Sequence, residues 1–174
     1  MKVLIVCSGN ICRSPMAAEY LRHRGATNGL AQLVVGSAGT LGIEGAPASA
    51  EAIQVLAEAG LDLTGHRSKG LGEADLRSAD YTIVMTHHHL EELASAYPEL
   101  EGRRWLLRAF EQQARPAGDA PDLEDPMGEP IERYREQFAL MRTCLDHMVL
   151  YLRHRGRDGR ADETGPPLTD RGRR

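Results

Sequence analysis

Aromatic residues are scarce in this chain. Its 174 residues include two Phe, five Tyr and one Trp, so the core has to be assembled mainly from Leu, Val, Ile, Ala and Met. Cysteine is scarce too, and odd in number at three, which excludes a self-contained disulfide framework and points to a reducing compartment. No apolar run approaches the ~18 residues of a membrane-spanning helix. The apolar start, residues 3–6, is too short for a signal-peptide core, and no small-residue cleavage site follows it. The expected location is cytoplasmic. There is no internal repeat. The first glycine-bearing turn has neither Gly-Lys-Ser/Thr nor Gly-x-Gly-x-x-Gly, so neither nucleotide-binding pattern is met.

What charge there is lies unevenly. The formal net charge is −4; residues 153–174 carry seven Arg against four acids, a net of +3, which leaves −7 on the rest. An acidic body argues against nucleic-acid binding. The length suits one domain, residues 1–152. Residues 153–174, Arg-rich and without an apolar period, read as a solvated, disordered tail. A monomer is expected, with no membrane partner.

Apolar pattern and punctuation alternate strand and helix. Residues 2–6 form a continuous apolar run, as in a strand covered on both faces. Ser14-Pro15 opens a helix to about Arg24, with Gly25 at its exit. A second strand at 33–35 leads into Ser37-Ala38-Gly39-Thr40. A helix follows at 48–59, then a strand at 81–85. Thr86 caps a helix with Leu90, Leu93 and Ala94 facing inward, and a short strand includes Leu106-Leu107. Residues 112–129, rich in Pro, Gly and acids, make a long loop. Ile131, Tyr134, Phe138, Met141, Leu145, Met148 and Leu152 then recur as one helical stripe. This is the pattern of an α/β domain: a four-stranded parallel sheet with helices on both faces. Ligands of such folds sit at the carboxyl ends of strands.

Chemistry is concentrated at one such end, in Cys7-Ser8-Gly9-Asn10-Ile11-Cys12-Arg13-Ser14. A cysteine, five residues, then Arg and Ser, between a strand and a helix start, suit a phosphate-binding loop. The sulfur of Cys7 can attack phosphorus as its thiolate, a form favoured by a helix N-terminus and a nearby cation. Amides of the loop can surround the remaining oxygens, and Arg13 offers a planar fork that matches two of them. Ser14 can donate to the sulfur. Gly9 and Asn10 tolerate the positive φ or close backbone approach that an anion nest demands. Such a nest needs no cofactor and no metal. Dipoles and Arg13 take the part that magnesium plays in kinases.

The segment from Val6 to Ala17 resembles the signature of the low-molecular-weight protein tyrosine phosphatases. Ser37-Ala38-Gly39-Thr40, Gly65-His66-Arg67-Ser68, Asp80 through Thr86 and Asp125-Pro126 resemble further family segments, in order. The resemblance implies a phosphorylated protein substrate and a phosphocysteine intermediate. It makes Cys7 the nucleophile, Arg13 the oxyanion holder and Asp125 the acid that protonates the leaving oxygen and then activates water. Residues matching Asn10, Ser37 and His66 would brace the loop. Cys12 either packs beneath it or forms a protective disulfide with Cys7 under peroxide.

Rival assignments are weaker. Asp119, Asp122 and Glu124 share the loop of Asp125, but only Asp125 precedes Pro, which restricts its backbone. His87-His88-His89 cannot turn three adjacent side chains to one metal, and reads as an exposed helix start. Cys144 reads as core. Where tyrosine-specific relatives have aromatic pocket walls, this chain has Leu41, Ile43 and Met127, a change worth about 1 kcal/mol of aryl affinity. Phosphoarginine-specific relatives resemble this chain but carry Thr where Ile11 stands, so phosphotyrosine is the expected substrate and phosphoarginine the alternative. A thiol-dependent arsenate reductase would want further cysteines between residues 68 and 90, and there are none. A silent phosphopeptide-binding module would need neither Asp125 nor an ionisable Cys7.

Overall fold

The computed structural model describes residues 1–111 and 121–158. Four parallel strands, β1 (Lys2–Cys7), β2 (Val34–Gly39), β3 (Tyr81–Val84) and β4 (Arg104–Leu106), lie in the order β2-β1-β3-β4. Strand order reverses at β1, and Cys7 ends that strand, so the loop after it opens at the switch point of the sheet.

Alternation in β1 explains the layers. Val3, Ile5 and Cys7 enter a core with α1 (Arg13–Thr27), α2 (Ala50–Glu58) and α5 (Ile131–Asp158). Leu4 and Val6 enter a second core with α3 (Glu73–Ser78) and α4 (His87–Ala96). A strand so placed has no polar face, hence its unbroken apolar run. The stripe on α5 is buried from Tyr134 through Leu152, and Cys144 is buried among it.

Three departures from the expected elements have local causes. First, β2 spans residues beyond 35 because Gly36, Ser37 and Ala38 pair in register with Leu4, Ile5 and Val6. Backbone pairing overrides their weak strand propensity. Second, α3 was not expected. It is short, lacks a side-chain cap and buries only Leu76, so it leaves little periodicity to read. Third, α5 continues past residue 152, where the tail was expected to begin, to Asp158. The Arg155 guanidinium lies 5.2 Å from the centre of the Tyr151 ring, and cations suit a helix C-terminus. The expected tail from 159 onward, and Asp119, lie outside the described residues.

Among the described residues, no helix is long and apolar enough to cross a membrane.

Candidate active site

The loop between β1 and α1 is built around Asn10. Its φ of 54° lies in the left-handed region, where Asn is among the few tolerated side chains. It is fully buried, and its amide side chain and carbonyl are spent on the surroundings. Nδ2 donates to Ser14 Oγ and Ser37 Oγ, both at 2.9 Å, and Oδ1 accepts from Lys69 N at 3.0 Å. The Asn10 carbonyl can only accept, so His66 Nε2, 2.8 Å away, is the donor. Ser14 Oγ, having accepted from Asn10, still has its own proton, and Cys7 Sγ is 3.0 Å away. The Asn10, Ser14, Ser37 and His66 side chains thus converge on the turn that presents Cys7.

Gly9 has no positive φ, contrary to one of its expected uses. A Cβ there would meet Ile11 and Ile43 Cδ1 at an ordinary 3.6 Å. The tight approach belongs to Gly39, where a Cβ would lie 2.6 Å from Ser8 O and 2.8 Å from Asn10 N. Only a glycine lets β2 run this close to the loop. The following residues strap the loop further: Thr40 N donates to Cys7 O at 3.0 Å and Leu41 N to Ser8 O at 2.9 Å.

Helix α1 starts at Arg13 with no side-chain cap and no acid in its first turn. Its first amides therefore face the loop without a competing anion. Arg13 is buried, at 3% exposure. Nη1 donates to Leu123 O at 3.1 Å, and Nη2 contacts both Ser8 Oγ at 3.4 Å and the Asp125 carboxylate, a close ion pair. Among the described residues, the buried Nε has no hydrogen-bond partner. A buried donor left unmatched suits an acceptor brought by a ligand.

Asp125 meets Arg13 because its loop is tied down from behind. Leu123 N donates to Met85 O at 2.8 Å, and Asp122 Oδ1 accepts from His87 N at 2.7 Å. Asp122, the rival acid, is thereby engaged with α4; burial works to raise its pKa, but the His87 hydrogen bonds hold it below the ordinary carboxylate value. Glu124 pairs with Arg133.

Cys12 Sγ lies 3.4 Å from Ser49 Oγ and 3.5 Å from Tyr134 Oη. Burial pushes its thiol pKa up, against both hydrogen bonds, and pushes Tyr134 up to about 12. Ser49 also ties its own N–H to Ile11 O at 3.1 Å, so the cap of α2 closes the far side of the loop. Of the aliphatic wall, Ile43 joins Ile11 of the loop in flanking Gly9, and Met127 Sδ is 4.0 Å from Cys12 Sγ. Leu41 is 68% exposed; its backbone ties it to the loop.

A second expectation is corrected. The three consecutive histidines are not an exposed helix start throughout: His88 is exposed, but His89 is buried at 1% exposure and contacts Ser8. A signal for this was available, since His89 lies four residues before the inward-facing Leu93. Ser49, Tyr134 and Gly39 were also missed; their roles depend on contacts distant in sequence. Among the described residues, no group of three or more His, Cys, Asp or Glu is placed to hold a metal ion.

The profile of the family described as low molecular weight phosphotyrosine protein phosphatase matches residues 2–157. The chain is 35% identical over 148 residues to the protein-arginine-phosphatase of Geobacillus stearothermophilus, covering 85% of this chain and 93% of that protein. It is 31% identical over 154 residues to the probable low molecular weight protein-tyrosine-phosphatase EpsP of Ralstonia solanacearum, covering 88% and 97%. The crystal structure of the low molecular weight protein tyrosine phosphatase from T. tengcongensis superposes with a TM-score of 0.78 at 36% identity, covering 87% of this chain and 99% of that one.

Proposed function

The chain belongs to the low-molecular-weight phosphotyrosine protein phosphatase family, and from that premise we propose that it hydrolyses phosphotyrosine in proteins through a phosphocysteine intermediate. The observation that carries this reading is the meeting of Cys7, Arg13 and Asp125 at one braced loop. The Cys7 thiolate attacks phosphorus as the tyrosyl oxygen departs. Loop amides and the Arg13 fork, including its unmatched Nε, take the equatorial oxygens. The phosphoryl group competes with Asp125 for the guanidinium; released from that ion pair, the carboxylate takes up a proton from solvent, and the resulting acid protonates the leaving oxygen. The same carboxyl then takes a proton from the water that cleaves the S–P bond, restoring Cys7 and releasing phosphate.

Phosphoarginine is the second reading, supported by the name of the Geobacillus relative and by an aliphatic pocket wall. Ile11 supports phosphotyrosine: it is half-buried and gathers with Ile43 over Gly9, an apolar surface for the edge of an aryl ring. Hydrolysis of para-nitrophenyl phosphate tests the reaction. Cys7→Ser abolishes it, and Asp125→Ala lowers kcat by about 10²-fold or more while phosphate still binds; activity that survives Cys7→Ser excludes the mechanism. Comparing rates on phosphotyrosine, phosphoarginine and phosphoserine peptides decides the substrate.

A further inference from the structure

Among the described residues, His89 is the one buried histidine in contact with the loop, and the mechanism above gives it no part. Thr86 caps α4 by accepting from His89 N at 3.4 Å, and its Oγ1 is 2.8 Å from His89 Nδ1. Across the ring, Nε2 is 3.0 Å from Ser8 Oγ, which in turn accepts from Arg13 Nη2 at 3.4 Å. A continuous line of contacts therefore runs from the cap of α4 to the guanidinium.

Counting protons gives the line a direction. Thr86 Oγ1 accepts a backbone N–H, so its own proton is available to Nδ1. The neutral ring then carries its proton on Nε2 and donates it to Ser8 Oγ. Burial, then the charge of Arg13, lowers the imidazole pKa to about 4 and keeps the ring neutral.

Arg13 Nη2 has two acceptors, Ser8 Oγ and Asp125 Oδ2. In the proposed reaction Asp125 leaves the guanidinium to serve the departing oxygen, and Ser8 remains. A lone serine hydroxyl can turn among three rotamers; one held by a buried imidazole cannot do so freely.

We propose that His89 is a positioning residue: through Ser8 it holds the Nη2 edge of Arg13 in place while Asp125 is engaged elsewhere. This rests on the phosphatase reading. A guanidinium aligned in advance favours five-coordinate phosphorus over the ground state, because reorganisation during the step is avoided. Its loss should appear in kcat more than in KM.

The test compares the full chain with Ser8→Ala, His89→Ala, His89→Gln and the Ser8→Ala/His89→Ala pair. Each is assayed for kcat and KM on para-nitrophenyl phosphate and for inhibition by vanadate and by inorganic phosphate. Ser8→Ala and His89→Ala are expected to lower kcat about tenfold, and to weaken vanadate about tenfold while phosphate changes by less than about threefold. The pair is expected to lose no more than either single change, because the two residues act in series. His89→Gln, which places an amide nitrogen near the position of Nε2, restores most of the loss. A purely structural role would lower thermal stability and leave the vanadate-to-phosphate ratio alone.

An unchanged ratio in Ser8→Ala, or losses that multiply in the pair, overturns the proposal. If His89→Ala does not fold, Ser8→Ala and His89→Gln decide it. A wild-type chain unable to hydrolyse the ester overturns the phosphatase reading and this one with it. An active wild type with an indifferent Ser8→Ala variant overturns this one alone.

Discussion

The back of the phosphate loop and its rim differ in almost every physical respect. At the back, Asn10 is buried, sits at positive φ and has both side-chain polar atoms engaged. Gly39 touches the loop backbone so closely that no side chain fits. At the rim, Leu41 and Met127 are 68% and 51% exposed, and the one directional contact of the Met127 side chain, among the described residues, is a weak one from Cys12 Sγ. A region over-determined by hydrogen bonds has one geometry; a region of exposed aliphatic side chains accepts many. In the proposed reaction, geometry for the anion is then fixed from behind, and the choice of what carries the anion falls to a surface that can change without disturbing it.

Asn10→Gly should break the comparison most strongly. It preserves the freedom to adopt positive φ and removes three side-chain hydrogen bonds, each worth about 1 kcal/mol. Urea denaturation should show a loss of about 3 kcal/mol, and kcat/KM should fall by about 10²-fold or more as Cys7 and Ser14 lose alignment. An equally large activity loss from Leu41→Ala would erase the distinction between back and rim.

Acid should act on the back through His89. The charges of Arg13 and His88 depress the His89 pKa, burial does so most, and those of Asp125 and Asp122 oppose them. With the folded value near 4 and the unfolded value near 6.5, the unfolded chain binds more protons between those limits. Stability from this group is therefore complete above about pH 6.5 and lost as pH falls to about 4, a swing of roughly 3 kcal/mol. The urea midpoint should fall more steeply over this range in the wild type than in His89→Gln.

At the rim, Met127→Trp should improve KM for an aryl phosphate about fivefold, corresponding to about 1 kcal/mol, and leave the phosphate inhibition constant unchanged. Ile11→Thr should shift the ratio of rates toward phosphoarginine peptides with stability altered by less than about 1.5 kcal/mol. An unmoved ratio would remove Ile11 from any part in specificity.

How much of this was legible in the sequence followed the range of each interaction. The apolar run of β1 and the seven-residue stripe of α5 are local periodicities, and they placed both cores. Cys7, Arg13 and Ser14 lie within one turn, so their spacing alone described a cup. Gly39 and Ser49 carry no such mark: their importance lies in approaches to Ser8 O and Ile11 O that no spacing rule encodes. His89 shows the intermediate case. Its position before Leu93 pointed inward, but the adjacent histidines disguised it as part of a polar cluster. Short α3, with one buried residue, was below what periodicity can resolve.

The partners of Asn10 arrive late along the chain: Ser37, His66 and the amide of Lys69 are 27, 56 and 59 positions away. A fragment ending before them contains the whole Cys7–Ser14 motif letter for letter and yet lacks the contacts that fix Asn10 from outside the loop. The turn that presents Cys7 is therefore completed only by residues as far along the chain as Lys69, so any truncation before that point severs the motif from its own scaffold.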